Sequence, residues 1–73
     1  MTLYITARIR GVDRVLSQGS VPEVKQWFLN HRCFYRTRKA YSGIRLYRST
    51  PAGAPVLYST AVEFIVKHKL FSL

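Results

Sequence analysis

The sequence predicts an α+β fold in one small domain, residues 1–73, made of two β-hairpin-plus-helix units (ββαββα) with antiparallel strands. A chain of 73 residues has room for one thin core. Apolar and polar residues alternate at its start, which is typical of a half-buried strand. Ser20 and Thr60 each precede a short run of apolar residues at helical spacing. The order of strands, turns and capped helix occurs twice, although the two copies share little sequence identity.

The first unit is predicted from residues 1–31. In its first strand, apolar residues alternate with polar and charged ones: Leu3, Ile5, Ala7 and Ile9 with Tyr4, Thr6, Arg8 and Arg10. Gly11 and Asp13 indicate a turn, and residues 14–17 a returning strand. Ser20 is the predicted N-cap of a helix over residues 21–31, with Pro22 and Glu23 in its first turn. Trp27 lies on the apolar stripe of this helix, and we expect it at the centre of the core.

The second unit begins with two predicted strands, residues 33–41 and 44–48, joined by a turn at Ser42-Gly43. Residues 49–55 are rich in proline, alanine and glycine and are predicted to form a loop. A short strand over residues 56–58 follows. Ser59 or Thr60 then caps the last helix, where Thr60 and Glu63 have the spacing of a capping box.

The hairpin in the second unit predicts a cationic surface. A two-residue turn would pair Arg38 with Tyr47 and place both on one face with Arg36 and Arg45. Arginines neutralise phosphates, and a tyrosine ring stacks on an unpaired base, so this face suits nucleic acid. The alternative is an ordinary cross-strand cation–π pair on a solvated surface.

Charge is the most informative feature of the composition. Twelve Lys and Arg residues oppose three acidic ones, giving a net charge of +9, and no acidic residue occurs between Val24 and Val62. Most of the cations are arginine, which favours planar contacts to phosphate or carboxylate. The candidate residues for binding a partner or nucleic acid are Arg8, Arg10, Arg14, Arg32, Arg36, Arg38, Lys39, Arg45, Tyr47 and Arg48.

Other functions find little support in the sequence. The three acids are scattered, so we expect no enzyme, no metal, no cofactor and no small-molecule substrate. Cys33 is the only cysteine, which rules out an internal disulfide and favours a reduced, cytoplasmic setting. His31 and His68 lie near predicted helix C-termini, where the helix dipole favours imidazolium, and we expect structural roles for both. We expect neither an export signal nor a membrane span, because no window holds roughly 18 apolar residues.

Over its full length, from MTLYITARIRGVDRV through NHRCFYRTRKAY to VEFIVKHKLFSL, the chain resembles the small transcription-inhibitor and antitermination proteins of Xanthomonas bacteriophages. The resemblance is one of size, basic character and overall sequence, and it carries no residue role. It implies a protein of the host bacterial cytoplasm that binds the host's RNA polymerase, inhibits initiation at host promoters and promotes read-through of terminators. RNA beside the polymerase is a second candidate partner.

Two other classes of function explain the same charge. One is a small DNA- or RNA-binding regulator that acts without polymerase, and the other is a ribosome-associated basic protein. A helix-turn-helix reader of DNA is disfavoured, because the first predicted helix follows a strand and Gly19 instead of a companion helix. A nuclease is the least supported class.

Overall fold

The computed structural model describes residues 1–33, 35 and 37–73, which form a four-stranded antiparallel sheet with both helices on one face. The strands follow one another across the sheet in the order β2-β1-β3-β4. The predicted α+β class and its ββαββα order are confirmed. The elements are β1 (Leu3–Ile9), β2 (Val12–Gly19), α1 (Val21–Asn30), a 3₁₀ helix (Arg38–Tyr41), β3 (Ile44–Arg48), β4 (Val56–Thr60) and α2 (Ala61–Lys67).

The hairpin of β1 and β2 turns more tightly than predicted. Ile9 pairs with Val12, which leaves only Arg10 and Gly11 in the turn. Their φ angles are 53° and 78°, so both residues adopt the left-handed conformation that a two-residue hairpin turn requires. The returning strand therefore starts at Val12, before the predicted residue 14.

Both predicted helix caps are confirmed. The backbone N–H and the hydroxyl of Ser20 donate to Glu23 Oε1 over 3.1 and 2.9 Å, so the carboxylate secures the start of α1. These hydrogen bonds, the backbone one first, lower the pKa of Glu23. At the start of α2, Thr60 Oγ1 accepts from the Glu63 N–H at 3.2 Å and donates to Glu63 Oε1 at 3.0 Å. Neither described helix has the length and hydropathy needed to cross a membrane.

The core lies between the sheet and the two helices, and its centre is aromatic. The ring centroid of Phe28 lies 5.6 Å from that of Phe64 and 6.1 Å from that of Tyr41. Trp27 is only partly buried at the margin of this cluster, edge-on to Phe28 and stacked on His31 at 4.1 Å. The prediction that Trp27 is central is therefore wrong: the buried stripe of α1 runs through Val24 and Phe28 instead.

The predicted hairpin of residues 33–41 with residues 44–48 is also wrong. Both edges of β3 are occupied, by β1 on one side and β4 on the other, so no edge remains for a strand over residues 33–41. The end of that segment instead forms the 3₁₀ helix, whose first turn is held by Thr37 Oγ1 accepting from the Ala40 N–H. This helix places Tyr41 in the core with 1% of its surface exposed. Arg36, which was predicted to lie on the cationic face of this hairpin, falls outside the described residues.

Candidate binding surface on the open face of the sheet

One face of the sheet has no helix against it in the described part of the chain. Leu3, Ile5 and Leu46 point toward α1 and α2 and are completely buried. Side chains alternate along a strand, so their neighbours point the other way. We call this second surface the open face; it consists of Tyr4, Thr6, Arg8, Asp13, Val15, Gln18, Arg45, Tyr47 and Leu57.

Strand pairing arranges most of the open face in rows that cross the sheet. The first row is Gln18, Tyr4, Tyr47 and Leu57, and the second begins at Val15 and continues through Thr6 and Arg45. A third, shorter row consists of Asp13 and Arg8. Successive rows are two residues apart along a strand, which is roughly 7 Å. The aromatic row therefore lies directly beside a row that carries a cation.

Tyr4 and Tyr47 occupy the middle of the open face. They lie directly opposite each other on the two central strands, and both are only partly buried. A groove of ≈ 420 Å³ runs along them, and the loop after β3 contributes Ser49, Gly53 and Pro55 to its lining. Leu57, which is 56% exposed, extends the apolar surface beyond Tyr47. The centre of the face thus offers apolar and aromatic surface to a ligand.

Positive charge borders this aromatic centre. Arg45 is exposed, and its carbonyl oxygen accepts a hydrogen bond of 3.2 Å from Thr6 Oγ1, which ties β3 to β1 at this row. Arg8 Nε lies 3.3 Å from Asp13 Oδ1, and both side chains are about half exposed. A salt bridge this exposed contributes only about 0–1 kcal/mol to stability. Arg8 can therefore leave Asp13 and bind a phosphate with little loss of stability.

Of the nine predicted binding residues that the structure describes, three lie on the open face: Arg8, Arg45 and Tyr47. Arg10 lies in the hairpin turn, and Arg14 and Arg48 pair opposite Ala7 and Leu3, which places them on the helix side of the sheet, still exposed. Arg32 lies with its guanidinium 5.3 Å from the ring centroid of Phe71. Arg38 and Lys39 lie in the 3₁₀ helix, so the predicted pairing of Arg38 with Tyr47 does not form. Arg36 is outside the described residues.

The sequence reasoning missed Tyr4, Thr6, Val15 and Leu57 as members of a binding surface. One signal for Tyr4 was present, because the alternation in the first strand places it on the same face as Arg8. Its position opposite Tyr47 depends on the pairing of β1 with β3, which no local pattern indicates.

Both histidines lie at helix C-termini, as predicted. His31 is the C-cap of α1, and its Nδ1 lies 2.8 Å from the carbonyl oxygen of Trp27. His68 is the C-cap of α2, where burial, Lys25 and Lys67 together lower its pKa. These effects oppose the favourable interaction between imidazolium and the helix end that the sequence predicts for His68. No group of three His, Cys, Asp or Glu side chains placed to hold a metal ion occurs among the described residues.

Comparisons with known proteins add no assignment. No family model, no curated protein and no solved structure matches the chain.

Proposed function

We propose that this protein binds bacterial RNA polymerase in the host cytoplasm and regulates transcription there. It inhibits initiation at host promoters and promotes read-through of terminators. It acts by binding and not by catalysis.

Unbalanced positive charge is the observation that carries this proposal. The chain has a net charge of +9, and the pair of Arg8 and Asp13 is the one salt bridge among the described residues. The remaining described arginines therefore have no carboxylate partner within the described part of the fold, and nearly all of the cationic side chains are exposed. Such a surface favours an acidic partner, since complementary charge speeds encounter and fixes orientation.

A transcription complex provides acidic partners of two kinds. Its DNA and RNA carry phosphates, and its protein surfaces carry carboxylates. The resemblance of the whole chain to phage transcription inhibitors selects this complex from among the acidic assemblies of a bacterial cell. The alternative is a small DNA- or RNA-binding regulator, or a ribosome-associated protein, that acts without polymerase.

In vitro transcription with purified polymerase from the host tests the proposal. Added protein should reduce initiation at a host promoter, raise read-through at a terminator, and bind core polymerase in the absence of DNA. Nuclease treatment of a pull-down separates the alternatives: recovery of polymerase should survive it, whereas a nucleic-acid regulator would lose its partners. Normal initiation and termination at saturating protein, with no binding to core polymerase, would contradict the proposal.

A further inference from the structure

The open face combines two properties that one class of ligand needs at the same place. Tyr4 and Tyr47 lie side by side on the central strands with part of each ring accessible, and no described helix covers them. Aromatic rings presented by a sheet in this way bind the flat faces of bases, and each stacked base contributes substantially to affinity.

The arginines next to the rings indicate that the bound bases carry phosphates. Arg45 lies in the row beside Tyr47, and Arg8 lies one row further along β1 than Thr6. Both side chains are exposed. A strand with a base on the tyrosines would therefore carry its flanking phosphates past these two arginines. An apolar protein partner would use the rings but would leave Arg45 without a counter-charge.

The same geometry disfavours a duplex. In a double helix the faces of the bases are stacked on one another, so tyrosine rings on a sheet meet base faces only where a strand is unpaired.

We infer that the open face binds single-stranded RNA, with bases stacked on Tyr4 and Tyr47 and phosphates on Arg45 and Arg8. The inference rests on the proposed function in one respect: a protein bound to polymerase would meet single-stranded RNA as the transcript that leaves the enzyme. It assigns the open face to RNA and leaves the other exposed cations for polymerase.

Fluorescence anisotropy with the full-length chain tests this inference. The probe is a labelled single-stranded RNA of about ten nucleotides, a length in the range that one small β domain covers. Tyr4→Thr and Tyr47→Thr keep a residue suited to a strand but remove the ring, and each should weaken binding about tenfold. Tyr4→Phe and Tyr47→Phe keep the ring and should bind as tightly as the parent.

Arg45→Gln tests the phosphate contact, with Arg14→Gln as its matched control on the helix side of the sheet. Arg45→Gln should weaken binding and reduce the slope of log affinity against log salt by about 0.7, the value for one phosphate contact on a single strand. Arg14→Gln should change both the affinity for RNA and the salt slope less than Arg45→Gln does. Equal effects of the two variants would overturn the inference, because they would show that only net charge matters.

Binding to two other nucleic acids and to core polymerase completes the test. Duplex RNA should bind more weakly and should not distinguish Tyr from Thr. Single-stranded DNA tests whether the unpaired strand is DNA instead of the transcript. Tighter binding of single-stranded DNA than of single-stranded RNA would overturn the assignment to the transcript. The Thr variants should still bind core polymerase; if they lost polymerase and kept RNA, the open face would be a protein contact and the inference would be wrong.

The outcomes separate this inference from the proposed function. Binding to core polymerase without binding to RNA would overturn the inference alone, and binding to RNA without polymerase would overturn the proposed function alone. If a Thr variant does not fold, photo-crosslinking of the parent protein to thiouridine-containing RNA replaces it. The crosslink should map to Tyr4 or Tyr47, and a crosslink confined to the 3₁₀ helix would contradict the inference.

Discussion

Tyr41 is the largest side chain in the fully buried core, and its hydroxyl group has no hydrogen-bond partner among the described residues. Burial is the main reason that the pKa of Tyr41 is raised. A buried hydroxyl without a partner destabilises the folded state by about 1–3 kcal/mol, because it loses its hydrogen bonds to water. The ring of Tyr41 stabilises the core, since it packs against Phe28, Tyr35 and Phe71.

Tyr41→Phe should therefore stabilise the protein. The variant keeps the ring and removes the hydroxyl, so we expect the free energy of unfolding to rise by about 1 kcal/mol and Tm by about 4–8 °C. Thermal and urea denaturation followed by circular dichroism measure this. Tyr4→Phe, which removes a hydroxyl on the open face, should leave Tm unchanged. A lower Tm for Tyr41→Phe would show that the hydroxyl is hydrogen-bonded in solution.

His68 should make stability depend on pH. Its pKa is lowered in the folded state, chiefly by burial and then by Lys25 and Lys67, so the unfolded chain takes up a proton at a higher pH than the folded one. Above the ordinary histidine pKa of about 6.5, His68 does not reduce the free energy of unfolding. As the pH falls from there through the pKa of His68 in the folded state, the free energy of unfolding decreases. Tm measured from about pH 8 to pH 5 should fall most steeply in this interval.

His68→Gln should flatten that part of the pH profile. Glu23, whose pKa is lowered from a value near 4.5, acts only at more acidic pH, where stability is lost as its carboxylate is protonated. A pH profile that His68→Gln does not alter would rule out His68 as its source.

At the scale of the elements, the turn between β1 and β2 carries local strain. Arg10 has a φ angle of 53°, a conformation that is unfavourable for most L-residues and readily adopted by asparagine. Arg10→Asn would create the Asn-Gly pair that two-residue hairpin turns prefer. We expect a gain in the free energy of unfolding of about 0.5–1 kcal/mol, measured by urea denaturation.

Arg14→Asn is the control for this prediction, because it removes the same charge from an extended position in β2. Asparagine is disfavoured in strands, so this variant should be no more stable than the parent. Equal gains in the two variants would mean that relief of charge repulsion, and not turn geometry, is responsible.

Elements that depend on neighbouring residues were predicted from the sequence, and elements that depend on distant ones were not. The caps at Ser20 and Thr60 involve side chains three residues apart, and both appear in the structure as predicted. Residues 33–41 look like a strand locally, but the place beside β3 belongs to β1. The prediction that Trp27 is central failed for a similar reason, because the residues of α1 that reach the core depend on how the helix packs on the sheet.

At the scale of the whole molecule, the net charge of +9 should make stability sensitive to salt. Cations on a small domain repel one another, and the range of this repulsion falls from about 30 Å at 0.01 M ionic strength to about 8 Å at 0.15 M. Tm should therefore rise between these two salt concentrations. Sucrose, which adds no ions, serves as a control for general solute effects, and a Tm that falls with salt would contradict the prediction.

The candidate binding surface was also predictable only where it depends on composition or on residues close together in the sequence. Composition alone predicted a basic surface, and Arg8, Arg45 and Tyr47 were among its predicted members. The position of Tyr4 opposite Tyr47 was not predictable, because 43 positions of sequence separate them and only the register of β1 with β3 brings them together.

That pairing of β1 with β3 also determines how the chain must fold. The two ββα units of the sequence are not independent, since β1 pairs with β2 on one edge and with a strand of the other unit on the second edge. Contacts this distant in sequence form late and slow the folding of small domains. During synthesis, the first hairpin and α1 emerge before β3 and have no complete core until both β3 and α2 have emerged. A chain divided within residues 49–55 would lack β4 and α2 in one fragment, so the two pieces would have to associate to rebuild the protein.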